Sequence, residues 1–368
     1  MDACFSIRDI SRNQRILCYS LIQKGESKGM ARTWHLFPGS NTADGFVGFF
    51  DDLRKKAART VILKGGPGVG KSTLMASVGK HYERLGMEAG YYHCSGDPDS
   101  LDAVFIPKAD FLVMDGTAPH IFDPILPGAR DGILNLGECL DEAQLAGQAE
   151  EIEALTRQIS GRYAQATRYL RAALAARQDA AAVYDEALSS RERGMLLAEW
   201  TALLPQAEPG DSSHCFAQAI TWKGCMQETD AVITCQTYCL DVPWGFDADA
   251  LLRPVWDAAE SRGIARAAFH DPLDARKLLH VTAGGAAFTT AVLMDAVVFA
   301  PVLDKSILRR ESSRLTFDRA VHDLMRNQAI EALAQAKRLH DALERYYIDA
   351  MDYAQLDEMK AEFMQRLP

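Results

Sequence analysis

No C-x-x-C pair, no long basic run and no leader-like segment occur in this 368-residue chain. Its eight cysteines are scattered, which excludes a disulfide framework and points to reduced, mostly buried thiols in a cytoplasmic protein. Cys235 and Cys239 lie four apart, but no neighbouring Cys or His set completes a zinc site. The net charge of −10 and the small size of the densest basic cluster, Arg54-Lys55-Lys56, argue against a nucleic-acid partner held by broad electrostatics. The most apolar stretch, residues 281–303, is interrupted by Asp295, whereas a membrane helix needs about 20 largely apolar residues. It reads as two buried strands with a turn between them. Residues 1–18 mix charged and apolar positions, so no signal peptide is expected. The chain is expected to be soluble and cytoplasmic, with no membrane partner.

What the chain does contain is concentrated at residues 60–73. An apolar run, Val61-Ile62-Leu63, feeds a complete G-x-x-x-x-G-K-[ST] pattern met by Gly65, Gly70, Lys71 and Ser72. Glycines let backbone N–H groups curl around phosphates, the lysine reaches the β- and γ-phosphates, and the Ser72 hydroxyl can hold Mg²⁺. A helix beginning at the loop adds its partial positive charge to the anion site. The expected nucleotide-binding residues are Gly65, Gly66, Pro67, Gly68, Val69, Gly70, Lys71, Ser72 and Thr73, with ATP and Mg²⁺ as cofactors.

Farther along, Phe111-Leu112-Val113-Met114-Asp115 has the form of an apolar strand ending in the carboxylate that holds Mg²⁺ in such sites. Lys71 and Asp115 are therefore the leading catalytic candidates, and Ser72 and Asp115 the metal ligands. Residues 95–102 read as an acidic loop entering a helix. Asp97, Asp99 and Asp102 are candidate bases because loops after parallel strands converge on the nucleotide. Each also suits a helix cap. Thr117 and His120 follow Asp115 and are placed to sense a γ-phosphate or touch a substrate; Asp123 and Asn135 are weaker candidates.

Three absences narrow the class. No N-K-x-D motif occurs, which favours ATP over GTP, and no L-S-G-G-Q signature occurs. Gly116 follows Asp115, so the usual Asp-Glu pair is missing. The base must come from elsewhere, or hydrolysis is slow.

An internal repeat organises the chain. His35-Leu36-Phe37 and Thr42-Ala43-Asp44-Gly45 recur as His214-Cys215-Phe216 and Thr221-Trp222-Lys223-Gly224; 214 − 35, 221 − 42 and 224 − 45 each give 179. Asp97-Pro98 is echoed by Asp271-Pro272. Repeats of this size mean duplicated domains rather than a solenoid. Each half closes with a long Ala-, Glu- and Arg-rich helical segment sharing a loose signature, Tyr184-x-x-Ala187 and Tyr347-x-x-Ala350. Leu145, Ala149, Ile152, Leu155, Ile159 and Tyr163 follow steps of three and four, as in a coiled coil. Bends are expected at Gln178-Asp179 or Ser189-Ser190. These arms are expected to pack against each other or a dimer partner, or to cover the sheet edges.

The second half is expected to have lost the site. Residues 240–249 hold Pro243 where Pro67 stands, but no lysine, with Asp241, Asp247 and Asp249 around the phosphate end. The counterpart of Asp115 is Thr289 by offset, or Asp295 by local likeness.

The expected organisation is α/β: two P-loop NTPase-like parallel-sheet domains in tandem, each followed by a long helical arm, with the second copy degenerate. The boundaries are a flexible N-terminal extension 1–29, a P-loop domain 30–140, an arm 141–205, a linker 206–213, a degenerate domain 214–316 and a C-terminal arm 317–368.

At His35-x-Phe37, the loop 64–72, residues 93–102 and Asp115-Gly116-Thr117-Ala118-Pro119-His120, the chain resembles a largely uncharacterised family of bacterial tandem P-loop ATPase-like proteins. The resemblance spans about residues 31–368 and implies two P-loop domains, each with a helical arm, and nucleotide binding, but no substrate. Members of that family carry a phosphate loop in both halves, and this chain departs from the pattern in its second half. The leading expectation is a slow ATPase acting as a nucleotide-dependent switch; a small-molecule kinase and a non-hydrolysing nucleotide-sensing scaffold are the alternatives.

Overall fold

The computed structural model describes residues 33–118, 121–207, 209–229, 231–232, 236–291 and 296–368. The proposed extension 1–29 and the candidates His120, Cys235 and Asp295 lie outside the described residues.

The protein is mixed α/β, with two six-stranded, mostly parallel sheets and long helices. The first half opens with β1 (Thr33–Leu36), a hairpin of β2 (Gly39–Thr42) and β3 (Gly45–Gly48), and helix α1 (Phe50–Lys56). Then come β4 (Arg59–Lys64), α2 (Lys71–Arg84), β5 (Ala89–His93), β6 (Leu101–Ile106), β7 (Phe111–Asp115) and β8 (Asp131–Asn135). The sheet order is β1-β5-β6-β7-β4-β8, and β6 alone runs against its neighbours. Val61, Ile62 and Leu63 on β4 and Phe111 to Met114 on β7 are buried on both faces, as apolar runs in a parallel sheet require.

This corrects the reading of residues 95–102 as a loop entering a helix. The chain turns at Asp97 to Ser100 and then forms β6, every residue of which is buried. The run Leu101-Asp102-Ala103-Val104-Phe105-Ile106 is short and apolar, and an antiparallel slot between β5 and β7 satisfies its backbone without a helix.

After the first sheet come α3 (Glu142–Ala146), α4 (Ala149–Ala187) and α5 (Ser190–Ala202). The second half follows with β9 (Ser212–Cys215), the hairpin β10 (Gln218–Thr221) and β11 (Gly224–Gln227), β12 (Gln236–Leu240) and α6 (Asp249–Ser261). Its sheet is completed by β13 (Arg266–His270), β14 (Leu278–Ala283), β15 (Ala286–Thr289) and β16 (Val297–Phe299). Residues 281–303 thus hold parts of three strands, not two. The order β16-β12-β15-β14-β13-β9, read backwards, repeats that of the first sheet, again with one antiparallel strand, β14. The chain ends in α7 (Lys305–Arg310), α8 (Ser312–Asp349) and α9 (Tyr353–Gln365).

The two halves meet directly. Phe37 and Phe216 exchange backbone hydrogen bonds of 3.0 Å in both directions. On either side, His35 Nδ1 lies 2.8 Å from His93 Nε2, and His214 Nδ1 lies 2.9 Å from His270 Nε2. Burial and the neighbouring His214 push the His270 imidazole down to about 4.

The long helices α4 and α8 lie side by side, burying Ala166, Leu170, Ala173, Ala329, Ala332 and Leu333. Small alanines let the two backbones approach closely over this seam. Of the two bends read from sequence, only the second exists: Gln178-Asp179 continues the helix, while the Ser189 hydroxyl accepts the Glu192 N–H and starts α5. The helices beyond the bends then cross over. Leu196 and Trp200 of α5 pack on the second sheet's core with Leu252 and Val255. Leu356 of α9, with Met359 and Phe363, packs on the first sheet's core with Val69 and Leu74. Each helical segment therefore caps the opposite half. No described helix is long and apolar enough to cross a membrane.

Candidate functional site

β4 lies between β7 and the edge strand β8 of the first sheet, and the glycine-rich loop leaves from its carboxyl end. Gly65, Gly68 and Gly70 have φ of 136°, 74° and 84°, conformations that residues with a Cβ rarely adopt. That geometry turns the loop tightly enough for α2 to begin at Lys71. Val69 points inward and is buried, Thr73 is exposed, and Pro67 is half-buried.

Lys71 and Asp115 are brought together. Lys71 Nζ lies 3.6 Å from Asp115 Oδ2 and donates to the carbonyl oxygens of Gly66 at 2.7 Å and Gly65 at 3.2 Å. Asp115 sits beside the loop because β7 pairs in parallel with β4, Leu63 opposite Asp115. Its Oδ1 accepts from the Thr117 N–H at 2.9 Å and the Thr117 hydroxyl at 2.6 Å, leaving Oδ2 turned to the lysine. Ser72 Oγ accepts from the Leu101 N–H at 3.0 Å, which ties the start of α2 to the start of β6.

Position 116 explains the missing Asp-Glu pair. A Cβ there would stand 2.2 Å from Ile62 Cγ2, so no side chain fits. A second carboxylate, Asp102, stands on the neighbouring strand β6. Asp102 is one residue beyond the paired positions Ala103 and Met114, so it projects beside Asp115. Burial, reinforced by the Asp115 charge, pushes the Asp102 carboxyl up to about 7.

The other acidic candidates are held elsewhere. Asp97 accepts from the Ser100 hydroxyl at 3.1 Å and pairs with Lys337 of α8 at 3.3 Å. Asp99 pairs with Lys223 of the β10–β11 turn. Asp123 is exposed and lies 3.7 Å from Lys64, whose amine donates to the Gly116 and Phe122 carbonyls. Asn135 caps the turn 136–139 by accepting from the Gly137 N–H.

Sequence reading missed the contribution of the C-terminal helices. A Cβ on Gly66 would meet the Tyr347 ring at 2.3 Å, and one on Gly68 would meet Ile348 at 3.1 Å. One on Gly70 would stand 2.8 Å from Lys360 Nζ. Helices α8 and α9 thus approach the loop at three of its glycines. The repeated Tyr-x-x-Ala signature was the available signal: in the second half a Cβ on Gly245 would meet Ala180 of α4 at 2.9 Å and the Tyr184 ring at 3.6 Å.

In the second half, the Asp249 carboxylate takes the place of the Ser72 hydroxyl, accepting from the Leu278 N–H at 2.9 Å. Lys71 is then matched by the buried Ala248, since 249 − 72 and 278 − 101 both give 177. The expectation of uncompensated negative charge there is corrected by two ion pairs. Lys277 lies 2.7 Å from Asp247 and Arg253 lies 2.9 Å from Asp249. Register corrects both expected counterparts of Asp115. At the offset of 177, Ala103 corresponds to His280; His280 lies opposite Thr289 as Ala103 lies opposite Met114, so Thr289 matches Met114 and the next residue, Thr290, matches Asp115.

No protein-family model, curated protein or solved structure matches this chain.

Among the described residues, a further cavity of about 260 Å³ lies between the halves, lined by Trp34, Lys56, Tyr92, His214, Cys215 and Phe269. Neither Lys71 nor Asp115 lines it.

Proposed function

We propose that the first half binds Mg·ATP at residues 65–73 and hydrolyses it slowly, acting as a nucleotide-dependent switch. The observation that carries this reading is the convergence of Lys71, Ser72 and Asp115 where a tight glycine loop opens into a helix. A loop of this curvature presents successive N–H groups to a phosphate, and the amino end of α2 adds partial positive charge. In this reading Lys71 leaves the loop carbonyls for the β- and γ-phosphates. Ser72 and Asp115 are the residues that would hold Mg²⁺, whose role is to neutralise phosphate charge.

Asp102 is the residue we assign as general base for the attacking water. A carboxyl held near neutrality can accept a proton at physiological pH, which an ordinary carboxylate does poorly. Its place beside Asp115 puts it at the phosphate end of the site.

We read the halves as a duplication, supported by the common strand order, the mirrored His pairs and the Phe37–Phe216 contact. The crossed helical segments would carry a change at the first loop to the second half, which has replaced Lys71 with Ala248. Four described cysteines, Cys94, Cys139, Cys215 and Cys225, are free thiols, and we infer a cytoplasmic protein. Phosphate release from Mg·ATP by the purified protein, without added acceptor, tests the hydrolase reading. Turnover that requires an added metabolite would mean a kinase, and tight binding without turnover a sensing scaffold.

A further inference from the structure

We propose that Lys360 of α9 is a phosphate-binding residue, so that the nucleotide site is complete only when the C-terminal helices are docked on the first half. This rests on the nucleotide reading above and extends it to a residue 289 positions away from Lys71, since 360 − 71 gives 289.

The amino end of α2 has one carboxylate beside it, Asp115, 3.6 Å from Lys71 Nζ; its own first turn holds no acidic residue, and Gly70 offers no capping side chain. Lys71 is anchored there, and Lys360 Nζ comes within 2.8 Å of the position a Gly70 Cβ would occupy. Among the described residues, no carboxylate lies within ion-pair distance of Lys360, whose helix neighbours Met359 and Leu356 pack on the core and hold it in place. An ammonium group at the positive end of a helix dipole is repelled by the helix. An anion bound at that end removes the penalty. A polyphosphate on the loop N–H groups is an anion of the right charge and location.

The second half provides the internal control. The helical segments align at one offset: 347 − 184, 350 − 187 and 352 − 189 all give 163, matching Tyr347 with Tyr184, Ala350 with Ala187 and Asp352 with Ser189. The last pair are the caps of α9 and α5, each 13 residues long. At this offset Lys360 corresponds to Leu197, which packs on the second core. The half that has Ala248 in place of Lys71 therefore also has an apolar residue in place of Lys360. Both cations are present at one loop and both are absent at the other, as expected if they serve the same ligand.

Titration calorimetry with Mg·ATP on the full chain tests this, using Lys360→Met, Lys360→Gln, Lys360→Arg and Lys71→Met, with thermal midpoints measured without nucleotide. Losing one charge-assisted phosphate contact weakens binding by about tenfold or more. The proposal expects that loss in both neutral variants, near-wild-type binding in Lys360→Arg, and nucleotide-free midpoints unchanged in Lys360→Arg and unchanged or raised in the neutral variants, which lose a repelled charge. Wild-type affinity in the neutral variants, with binding lost in Lys71→Met, overturns the role of Lys360 and leaves the nucleotide reading intact. Equal weakening in Lys360→Arg, or a lowered midpoint in both neutral variants, makes Lys360 a packing residue only. No ATP binding by the wild-type chain overturns both.

Discussion

Lys71 Nζ donates to the carbonyl oxygen of Gly66 at 2.7 Å, so the loop lysine is folded back onto its own loop. That bond keeps a buried ammonium satisfied while nothing else occupies the loop. In the proposed function it is also a bond that a phosphate would replace.

Lys71→Met retains the aliphatic stem and removes the charge. ATP affinity is expected to fall at least about tenfold, because a charge-assisted contact contributes about 1.5–3 kcal/mol. The nucleotide-free protein loses about 1–3 kcal/mol, since Asp115 is left half-buried without its cation. Competition with a fluorescent ATP analogue and urea unfolding measure the two effects. Unchanged affinity would remove Lys71 from the site.

Asp115→Asn keeps the shape and the bonds from Thr117 but loses the charge that neutralises a metal. Binding of ATP should weaken less than Mg²⁺-dependent phosphate release, which should fall by at least about tenfold. Intact turnover with intact Mg²⁺ dependence would make Asp115 a strand terminus only.

Asp102 carries a pH signature whose sign is fixed by its direction of shift. The unfolded carboxyl titrates near its ordinary value of 3.8, whereas the folded one is pushed up to about 7. Between those values the folded state binds the extra proton, so this group's contribution to stability falls as pH rises and levels off above 7. Asp102→Asn should therefore gain midpoint relative to wild type between pH 5 and 8. Its phosphate release should lose the rise near pH 7 that a general base imparts. Parallel midpoint curves for the two proteins would contradict the buried, raised carboxyl.

Gly66→Ala should dislodge the C-terminal helices, because the new methyl would meet the Tyr347 ring at 2.3 Å. Overpacking of this kind costs about 1–3 kcal/mol. Tyr347→Ala in the same chain should recover most of that loss. Hydrogen exchange over residues 344–365 reports the docking. Protection unchanged in Gly66→Ala would show that the ring is not seated on the loop.

The local parts of this design were legible in the sequence. Val61 to Ser72 and Phe111 to Asp115 declare strand, loop and helix within a few residues, because burial on both sheet faces and positive-φ glycines leave short-range marks. The repeat was visible in His35 and His214, which the fold uses twice in equivalent pairs. β6 was misread because Asp97, Asp99 and Asp102 resemble helix caps, while its antiparallel partners are distant in sequence. The crossing of α5 and α9 to opposite halves was not legible. Helical periodicity shows which face is apolar but not which sheet it covers, and Lys360 has no local signature at all. The match of Asp115 with Thr290, one residue beyond the expected Thr289, came only from strand register.

The central claim is that one half of this chain holds a nucleoside triphosphate at residues 65–73 and the other half does not. Calorimetric titration of the intact protein with Mg·ATP tests it most directly. One site per chain, abolished by Lys71→Met, is the expected result. Two sites per chain, or a single site that survives Lys71→Met, would contradict it.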